Sequence, residues 1–183
     1  MNALTTSCLC VGGALLLAHA TTTMVAAQND VVRDISELPH QIWVSNPLHD
    51  VVVDMWNRSP TFRRQCREVA THHAIQVQIR LDPNLVHDPI RNAFCDMVQY
   101  DTGALIARIR VSPYRLHELI AHEMEHVCER IEGVKVEQEA RLGHAGFYVM
   151  GHIERHYESD RAARVGRQVE AELTMSPMLT RAQ

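Results

Sequence analysis

The amino-acid sequence predicts an α+β fold, in which a small, mostly antiparallel sheet comes first and helices follow. Alternating apolar and polar residues occur in the first part of the chain, and a helical period of 3.6 residues dominates after Val111. The 183 residues are 46% hydrophobic and 22% charged, which is typical of one globular domain and not of a disordered chain. We predict that this domain covers residues 28–183.

The first 27 residues are predicted to be an export signal. The apolar stretch from Cys8 to Ala20 is too short to span a bilayer comfortably, but it has the length of a signal-peptide core. We expect cleavage after the VAA sequence that ends at Ala27, in preference to the AHA sequence that ends at Ala20. No Lys or Arg precedes the apolar stretch, which is unusual for a signal peptide. Because the low-charge sequence continues to Ala27, an uncleaved anchor is the alternative, and only then would the protein contact a membrane. The mature protein is expected to be periplasmic or secreted.

An extended segment and two further elements begin the predicted domain. Residues 42–44 are predicted to be extended, whereas the DVVVDMW sequence at 50–56 fits a strand or a helix. A helix is predicted to begin at Ser59, because serine is a good N-cap and Pro60 then occupies the first helical position. The apolar face of this helix is formed by Phe62, Cys66 and Val69.

Three strands are predicted from apolar–polar alternation. In AIQVQIRLD, at 74–82, every second residue from Ile75 is apolar, which is typical of a half-buried strand. Two more strands are predicted at 93–100 and 104–112. They flank Asp101-Thr102-Gly103, and the glycine can adopt the positive φ that hairpin turns require, so these strands are predicted to form a hairpin.

Three helices are predicted after the sheet. Ser112-Pro113 repeats the serine–proline start and a glycine follows Glu132, so the first helix is predicted at about 113–132. The second is predicted at 136–157, although it contains three glycines. The third is predicted at 158–173, because its apolar residues form one stripe.

Composition excludes one class of partner and favours a metal. The formal net charge is −4 without a basic excess, so nucleic acid is not expected as a partner. The 12 histidines favour metal chemistry, because imidazole is a common metal ligand. The predicted mature chain contains Cys66, Cys95 and Cys128, whose spacing fits no zinc–thiolate pattern. One disulfide with one leftover thiol and three buried thiols are both consistent with their number.

The HELIAHEMEHVCERIEG sequence at 117–133 contains an HExxH pattern formed by His122, Glu123 and His126. Residues four apart lie on one face of a helix, one turn above the other, so both imidazoles can bind one zinc ion at about 2.0–2.1 Å. Glu123 points to the side, where it can act as the general base that takes a proton from a zinc-activated water. The alternative is a solvated helix face with incidental histidines.

A catalytic zinc needs a third protein ligand, which we expect to be a glutamate farther along the chain. Glu129 and Glu132 occupy the positions of Gly and His in an HExxHxxGxxH pattern, so that pattern is absent. Glu158 is favoured, because Ala162 and Gly166 would let the last helix approach the HExxH helix closely. The alternatives are Glu154 and then His156. Weaker candidates are Glu137, Glu139, His144 and His152.

LIAHEMEHVCE, followed about 30 residues later by YESDRAARVG, resembles the gluzincin zinc metallopeptidases. It is also similar to short exported bacterial zincin-like proteins, and the resemblance covers roughly residues 104–173. It implies that His122, His126 and Glu158 bind zinc and that Glu123 is the base. The chain departs from the family at one point, because Ala162 stands where many gluzincins place an aspartate that orients a ligand histidine.

The same resemblance implies how a substrate binds. Members of this family hold an extended peptide on an edge strand beside the active-site helix, and the segment at 104–112 is the expected edge strand. A tyrosine or histidine often stabilises the oxyanion in such enzymes. The candidates for this role are Tyr148, His152 and Tyr157.

We therefore expect a zinc-dependent peptidase that hydrolyses a peptide bond in a peptide or protein substrate, with Zn²⁺ as its cofactor and Glu123 as its general base. The alternative is a catalytically inactive zinc-binding or interaction protein derived from the same fold.

Overall fold

The computed structural model describes residues 31–87, 92–151 and 156–175. The predicted export signal at 1–27 lies outside these residues. Within the described ranges, no helix combines the length and the apolar character that a membrane crossing requires.

The described chain has an α+β architecture, as predicted. Its regular elements are β1 (Ile42–Val44), α1 (His49–Arg58), α2 (Pro60–Ala70), β2 (Ile75–Leu81), β3 (Ala93–Gln99), β4 (Leu105–Val111), α3 (Leu116–Ile131), α4 (Val136–Arg141), β5 (Phe147–Met150), β6 (His156–Ser159) and α5 (Asp160–Met175). The prediction that α2 begins with a capping serine and a proline is confirmed, because Ser59 Oγ accepts a hydrogen bond from the Phe62 amide at 3.0 Å.

The main sheet is mixed, so the prediction of a mostly antiparallel sheet is wrong. Its strand order is β1-β2-β4-β3, with β1–β2 and β2–β4 parallel and β3–β4 antiparallel. The ambiguous segment at 50–56 lies in helix α1, which together with α2 carries the chain back to the start of the sheet. A connection of this kind makes consecutive strands parallel.

The edge strand beside α3 is β3, whereas we expected it at 104–112. Strand β4 occupies that segment and lies inside the sheet, paired over its full length with β2 and with β3. Its alternate residues are fully or almost fully buried, which suits an interior strand: Leu105, Ala107, Ile109 and Val111. The predicted β3–β4 hairpin is confirmed, and Gly103 in its turn has φ = 83°.

Helix α3 begins later than predicted. It starts at Leu116, and the residue before it, Arg115, adopts the left-handed conformation with φ = 51°. Ser112 does not cap the helix, because its Oγ has no hydrogen-bond partner among the described residues and the helix starts four residues later. Its amide donates to the Asn92 carbonyl oxygen at 2.7 Å and continues the β3–β4 pairing by one residue. The chain therefore leaves the sheet first and turns into α3 only afterwards.

The segment at 136–157 is not the single helix that we predicted. It contains the short helix α4 and then β5, which pairs with β6 as an antiparallel hairpin. Gly143, Gly146 and Gly151 have φ values of 70°, 85° and 80°, which are incompatible with a continuous right-handed helix. As a consequence Glu158 belongs to strand β6, and α5 begins two residues after it, with Ser159 Oγ accepting from the Ala162 amide at 3.0 Å.

Helix α3 packs between the sheet and α5, and small residues allow α5 to approach it closely, as predicted. Ala162 is fully buried. A Cβ atom added to Gly166 would lie 2.8 Å from the Glu118 carbonyl oxygen and 3.2 Å from His122 Cβ, so no larger residue fits there without separating the two helices.

A buried carboxylate joins α3 to both neighbouring helices. Glu125 is fully buried and accepts from Arg64 Nη2 at 2.6 Å, from Gln65 Nε2 at 2.8 Å and from Arg161 Nε at 2.7 Å. Arg161 also binds Glu132 at the end of α3. Because Arg161 lies three residues after Glu158, these bonds fix the start of α5, and with it Glu158, against α3.

The three cysteines of the described chain carry free thiols. Cys66 and Cys128 are buried, and Cys95 is half-buried on β3. Of our two expectations, the structure therefore agrees with unpaired thiols and not with a disulfide. Burial raises the pKa of all three, so none is an activated thiolate.

Candidate metal centre

Two histidines of α3 and one glutamate of β6 converge at one point. His122 and His126 lie one turn apart, and their ring centroids are 5.0 Å apart. Glu158 Oε2 lies 2.8 Å from His122 Nε2 and 3.5 Å from His126 Nε2. One donor atom from each of the three side chains lies within 4.8 Å of the other two, so the group could hold a metal ion.

The donor set of this triad suits zinc. Two imidazole nitrogens and one carboxylate oxygen are the ligand types of catalytic zinc sites, which leave one coordination position open. His126 Nε2 is buried and has no hydrogen-bond partner among the described residues. A buried polar atom without a partner is unfavourable, and a bound cation would satisfy it.

The acidic groups around the triad stabilise positive charge. Burial alone would lower the pKa of His126, but the hydrogen bond with Glu129 and the nearby Glu158 carboxylate raise it to about 10. In the metal-free protein the ring is therefore protonated at neutral pH, and a bound metal ion would displace that proton. Burial alone would raise the pKa of Glu158, but the two histidines lower it to about 2, so this residue is a carboxylate at neutral pH. A half-enclosed carboxylate beside two imidazoles is a favourable place for a divalent ion.

Glu123 lies beside the triad and in the wall of the same cleft. It is 5% exposed, and burial is the main cause that raises the pKa of its carboxyl group. Glu158 raises this pKa further, whereas the two histidines lower it. Its placement next to the triad agrees with the HExxH interpretation, in which the glutamate is close to the ligands without being one of them.

A second glutamate of α3, whose role we did not predict, orients His126. Glu129 is 1% exposed, and its Oε2 lies 2.8 Å from His126 Nδ1. Its other oxygen, Oε1, accepts from Ser159 Oγ at 2.6 Å. The bond at Nδ1 leaves Nε2 of His126 free to bind a metal. The sequence signal for this role was an acidic residue three positions after the second histidine. The resemblance had led us to look for an aspartate at position 162 instead, where the chain has alanine.

Loss of the Glu129 carboxylate is expected to weaken zinc binding. Ligand histidines depend on such partners, whose removal lowers metal affinity by about 10–100-fold. We expect about tenfold for Glu129→Gln, which keeps one acceptor oxygen, and up to about 100-fold for Glu129→Ala. Titration of the purified chain with zinc against a chelating dye measures the change.

A matched control is available for this measurement. Glu139 makes a similar contact with a histidine, His144 Nδ1 at 2.5 Å, but on the surface and outside the triad. Glu139→Gln is therefore expected to leave zinc affinity unchanged. Equal affinities for the wild type and both Glu129 variants would show that Glu129 does not support the metal centre.

The remaining ligand candidates that the structure describes do not join the cluster. Glu137 pairs with Arg141, and Glu139 pairs with His144. His156 lies in the cleft wall, but its ring nitrogens are not among the clustered donor atoms of the described residues. His152 and Glu154 lie outside the described residues.

The triad opens into a cleft of 1090 Å³. One wall is the edge strand β3, the floor is α3, and the opposite wall is formed by α4 and the β5–β6 hairpin. Strand β3 is the last strand of the sheet formed by the described residues, and the outer edge of such a strand can bind an extended peptide as an additional strand.

Two of the three residues predicted to stabilise the oxyanion, Tyr148 and Tyr157, lie in the cleft wall. The third, His152, lies outside the described residues. Tyr148 is the direct partner of Glu158 in the β5–β6 hairpin, so both side chains lie on the same face. Burial and the charge of Glu158 raise the pKa of Tyr148, which therefore keeps its phenolic proton. Tyr157 lies on the other face, and its hydroxyl accepts from Arg141 Nε at 3.0 Å.

Comparisons of this chain with protein-family models, with curated proteins and with solved structures found no match. The resemblance to gluzincins therefore stays a prediction. It rests on the His122–His126 pair of α3 and on Glu158.

Proposed function

We propose that the protein is a zinc-dependent peptidase whose metal ligands are His122, His126 and Glu158. The observation that supports this most strongly is the convergence of Glu158 on both histidines of the HExxH pattern, although Glu158 lies 36 residues after His122 in the chain. Three protein ligands with a carboxylate beside them, at the floor of an open cleft, suit a catalytic zinc better than a structural one, for which four ligands are usual.

The residues around the ion would each have one role. Zinc would polarise the scissile carbonyl and lower the pKa of a water molecule to about 7. Glu123 Oε would accept the proton of the attacking water and hand it to the leaving amine, a role that suits a carboxyl group with a raised pKa. Glu129 would hold His126 in the tautomer that leaves Nε2 free.

Two further parts of the cleft would bind the substrate. The outer edge of β3 would pair with the peptide backbone, since that strand lines the cleft and, within the described residues, pairs with β4 on one side only. The Tyr148 hydroxyl would donate a hydrogen bond to the developing oxyanion. We also propose, from the N-terminal apolar segment, that the protein acts after export.

Metal analysis combined with a cleavage assay tests this proposal. We expect about one zinc per chain by elemental analysis, and hydrolysis of a mixed peptide library that stops when the metal is chelated and returns when zinc is added. Zinc in the protein without cleavage of any peptide would favour the inactive binding protein. Absence of zinc after purification and after reconstitution would contradict both.

A further inference from the structure

The cleft continues along α3 from the triad to three cationic side chains. His122, His126 and Arg130 follow one another at four-residue spacing, so Arg130 lies on the same face, one turn beyond His126. Arg130 lines the cleft together with Lys135, which precedes α4, and Arg141, which ends it. We refer to Arg130, Lys135 and Arg141 as the cationic end of the cleft.

Two acidic side chains of the cleft wall are already paired with arginines. Asp96 binds Arg110 Nη2 at 3.0 Å, and Glu137 binds Arg141 Nη2 at 2.5 Å. Both pairs are at least partly exposed and leave little net charge. They do not neutralise the other two cations of the cationic end.

Arg130 and Lys135 have no carboxylate within ion-pair distance anywhere in the part of the chain that the structure describes. Arg130 Nη2 donates to a neutral group, the Gln99 amide oxygen, at 2.7 Å. Lys135 is exposed. This arrangement is notable in a chain with a formal net charge of −4, because the protein as a whole would repel an anionic ligand.

Arg141 contacts Tyr157, a residue of strand β6. Its Nε donates to the Tyr157 hydroxyl at 3.0 Å, and its guanidinium lies 5.4 Å from the centre of the Tyr157 ring. Tyr157 directly precedes Glu158. The cationic end is therefore tied to the strand that carries the third metal-ligand candidate.

We propose that the cationic end binds a carboxylate of the substrate, about two or three residues from the bond that is cleaved. One turn of α3 separates Arg130 from His126, a rise of about 6 Å, and an extended peptide advances about 3.3 Å per residue. A peptide that pairs with the edge of β3 would reach Gln99, the contact of Arg130, at the end of that strand. This inference rests on the proposed peptidase function, since it specifies the substrate of the same cleft.

Binding can be measured without turnover in the zinc-loaded full chain that carries Glu123→Gln. Three fluorescent octapeptides are compared by anisotropy: one with aspartates on both sides of the central bond and blocked ends, one with asparagines and blocked ends, and one with asparagines and a free C-terminal carboxylate. We expect at least one carboxylate-bearing peptide to bind about fivefold tighter than the blocked asparagine peptide, and the difference to shrink with added salt. Tighter binding of the aspartate peptide would identify a side-chain carboxylate as the ligand. Tighter binding of the peptide with a free C-terminus would identify the terminal carboxylate.

Further substitutions in the Glu123→Gln protein then show which residues cause the preference for a carboxylate-bearing peptide. Arg130→Gln combined with Lys135→Gln is expected to abolish it, whereas Arg164→Gln, at an exposed position of α5 outside the cleft wall, is expected to retain it. Because the double variant keeps the triad, a preference that survives in it would come from the zinc ion and would overturn the proposal. Equal affinity of the Glu123→Gln protein for all three peptides would overturn it as well.

The experiment also separates this inference from the peptidase proposal. If the wild type cleaves none of the peptides but the Glu123→Gln protein still prefers a carboxylate, the cationic end is a binding site and the peptidase proposal fails. If the wild type cleaves all three peptides at equal rates and the affinities are equal, the peptidase proposal stands and this inference fails.

Discussion

Replacement of Glu123 by glutamine is expected to reduce peptide hydrolysis by about 10²–10⁴-fold, the usual contribution of a general base. Glutamine has the size of glutamate and fits the same buried position, but it cannot accept the proton of the attacking water. Zinc content is expected to stay at the wild-type level, because Glu123 is not one of the three clustered side chains. Rates on one peptide at saturating substrate, together with elemental analysis, measure both effects.

A surface glutamate provides the control for this substitution. Glu170 lies on α5, where its carboxylate contacts His117 Nδ1 at 3.3 Å. Glu170→Gln removes the same charge from the protein without touching the cleft wall, so its activity is expected to equal that of the wild type. An unchanged rate in Glu123→Gln would assign the base to another residue, and loss of zinc from that variant would make Glu123 a ligand.

The geometry of the histidine pair could be predicted because it depends only on local structure. Four-residue spacing in a helix places His122 and His126 on one face, whatever the rest of the chain does. The start and face of α2 were predictable for the same reason, since a serine–proline pair and an apolar stripe define both. The same serine–proline pair gave a wrong start for α3, because residues 112–115 still continue and leave the sheet before the helix begins at Leu116.

The surroundings of the pair depend on contacts that are distant in sequence. The parallel pairing of β1 and β2 depends on the helical conformation of residues 50–56, which periodicity alone could not establish. Three glycines with positive φ interrupt the helix that we predicted at 136–157, and the β5–β6 hairpin follows α4. Glu158 therefore reaches the cluster from a strand and not from a helix. The prediction of Glu158 nevertheless agrees with the cluster, because Ala162 and Gly166 bring α5 against α3 in either case.

The carboxylate that is hydrogen-bonded to His126 comes from a different position than the resemblance led us to expect. The resemblance implied an aspartate after the glutamate ligand, and the chain has Ala162 there. The carboxylate comes instead from Glu129, on the same helix as the histidine. Ser159 joins this carboxylate to the cap of α5, so one hydrogen-bonded chain connects His126, Glu129 and the residue that follows Glu158. A search for acids three residues from each histidine would have found it.

Removal of the Glu158 carboxylate is expected to have the largest effect on the metal. If each ligand supplies about a quarter of the roughly 10–16 kcal/mol that a four-ligand zinc site provides, its loss weakens zinc binding by about 10²–10³-fold. We expect this for Glu158→Gln and Glu158→Ala alike, measured by zinc titration. The stabilisation by zinc in thermal unfolding should fall by about 2.7 kcal/mol or more at high zinc excess.

Two further variants test whether the loss of zinc affinity is caused by removal of the Glu158 carboxylate itself. Glu137→Gln removes a carboxylate from the same cleft wall outside the triad, and zinc affinity is expected to be preserved. His156→Ala removes the neighbouring candidate on the same strand, again without loss of zinc. If His156→Ala lost the metal while Glu158→Gln retained it, the third ligand would be His156. In that case the 2.8 Å contact between Glu158 and His122 would be a hydrogen bond and not the geometry of a metal site.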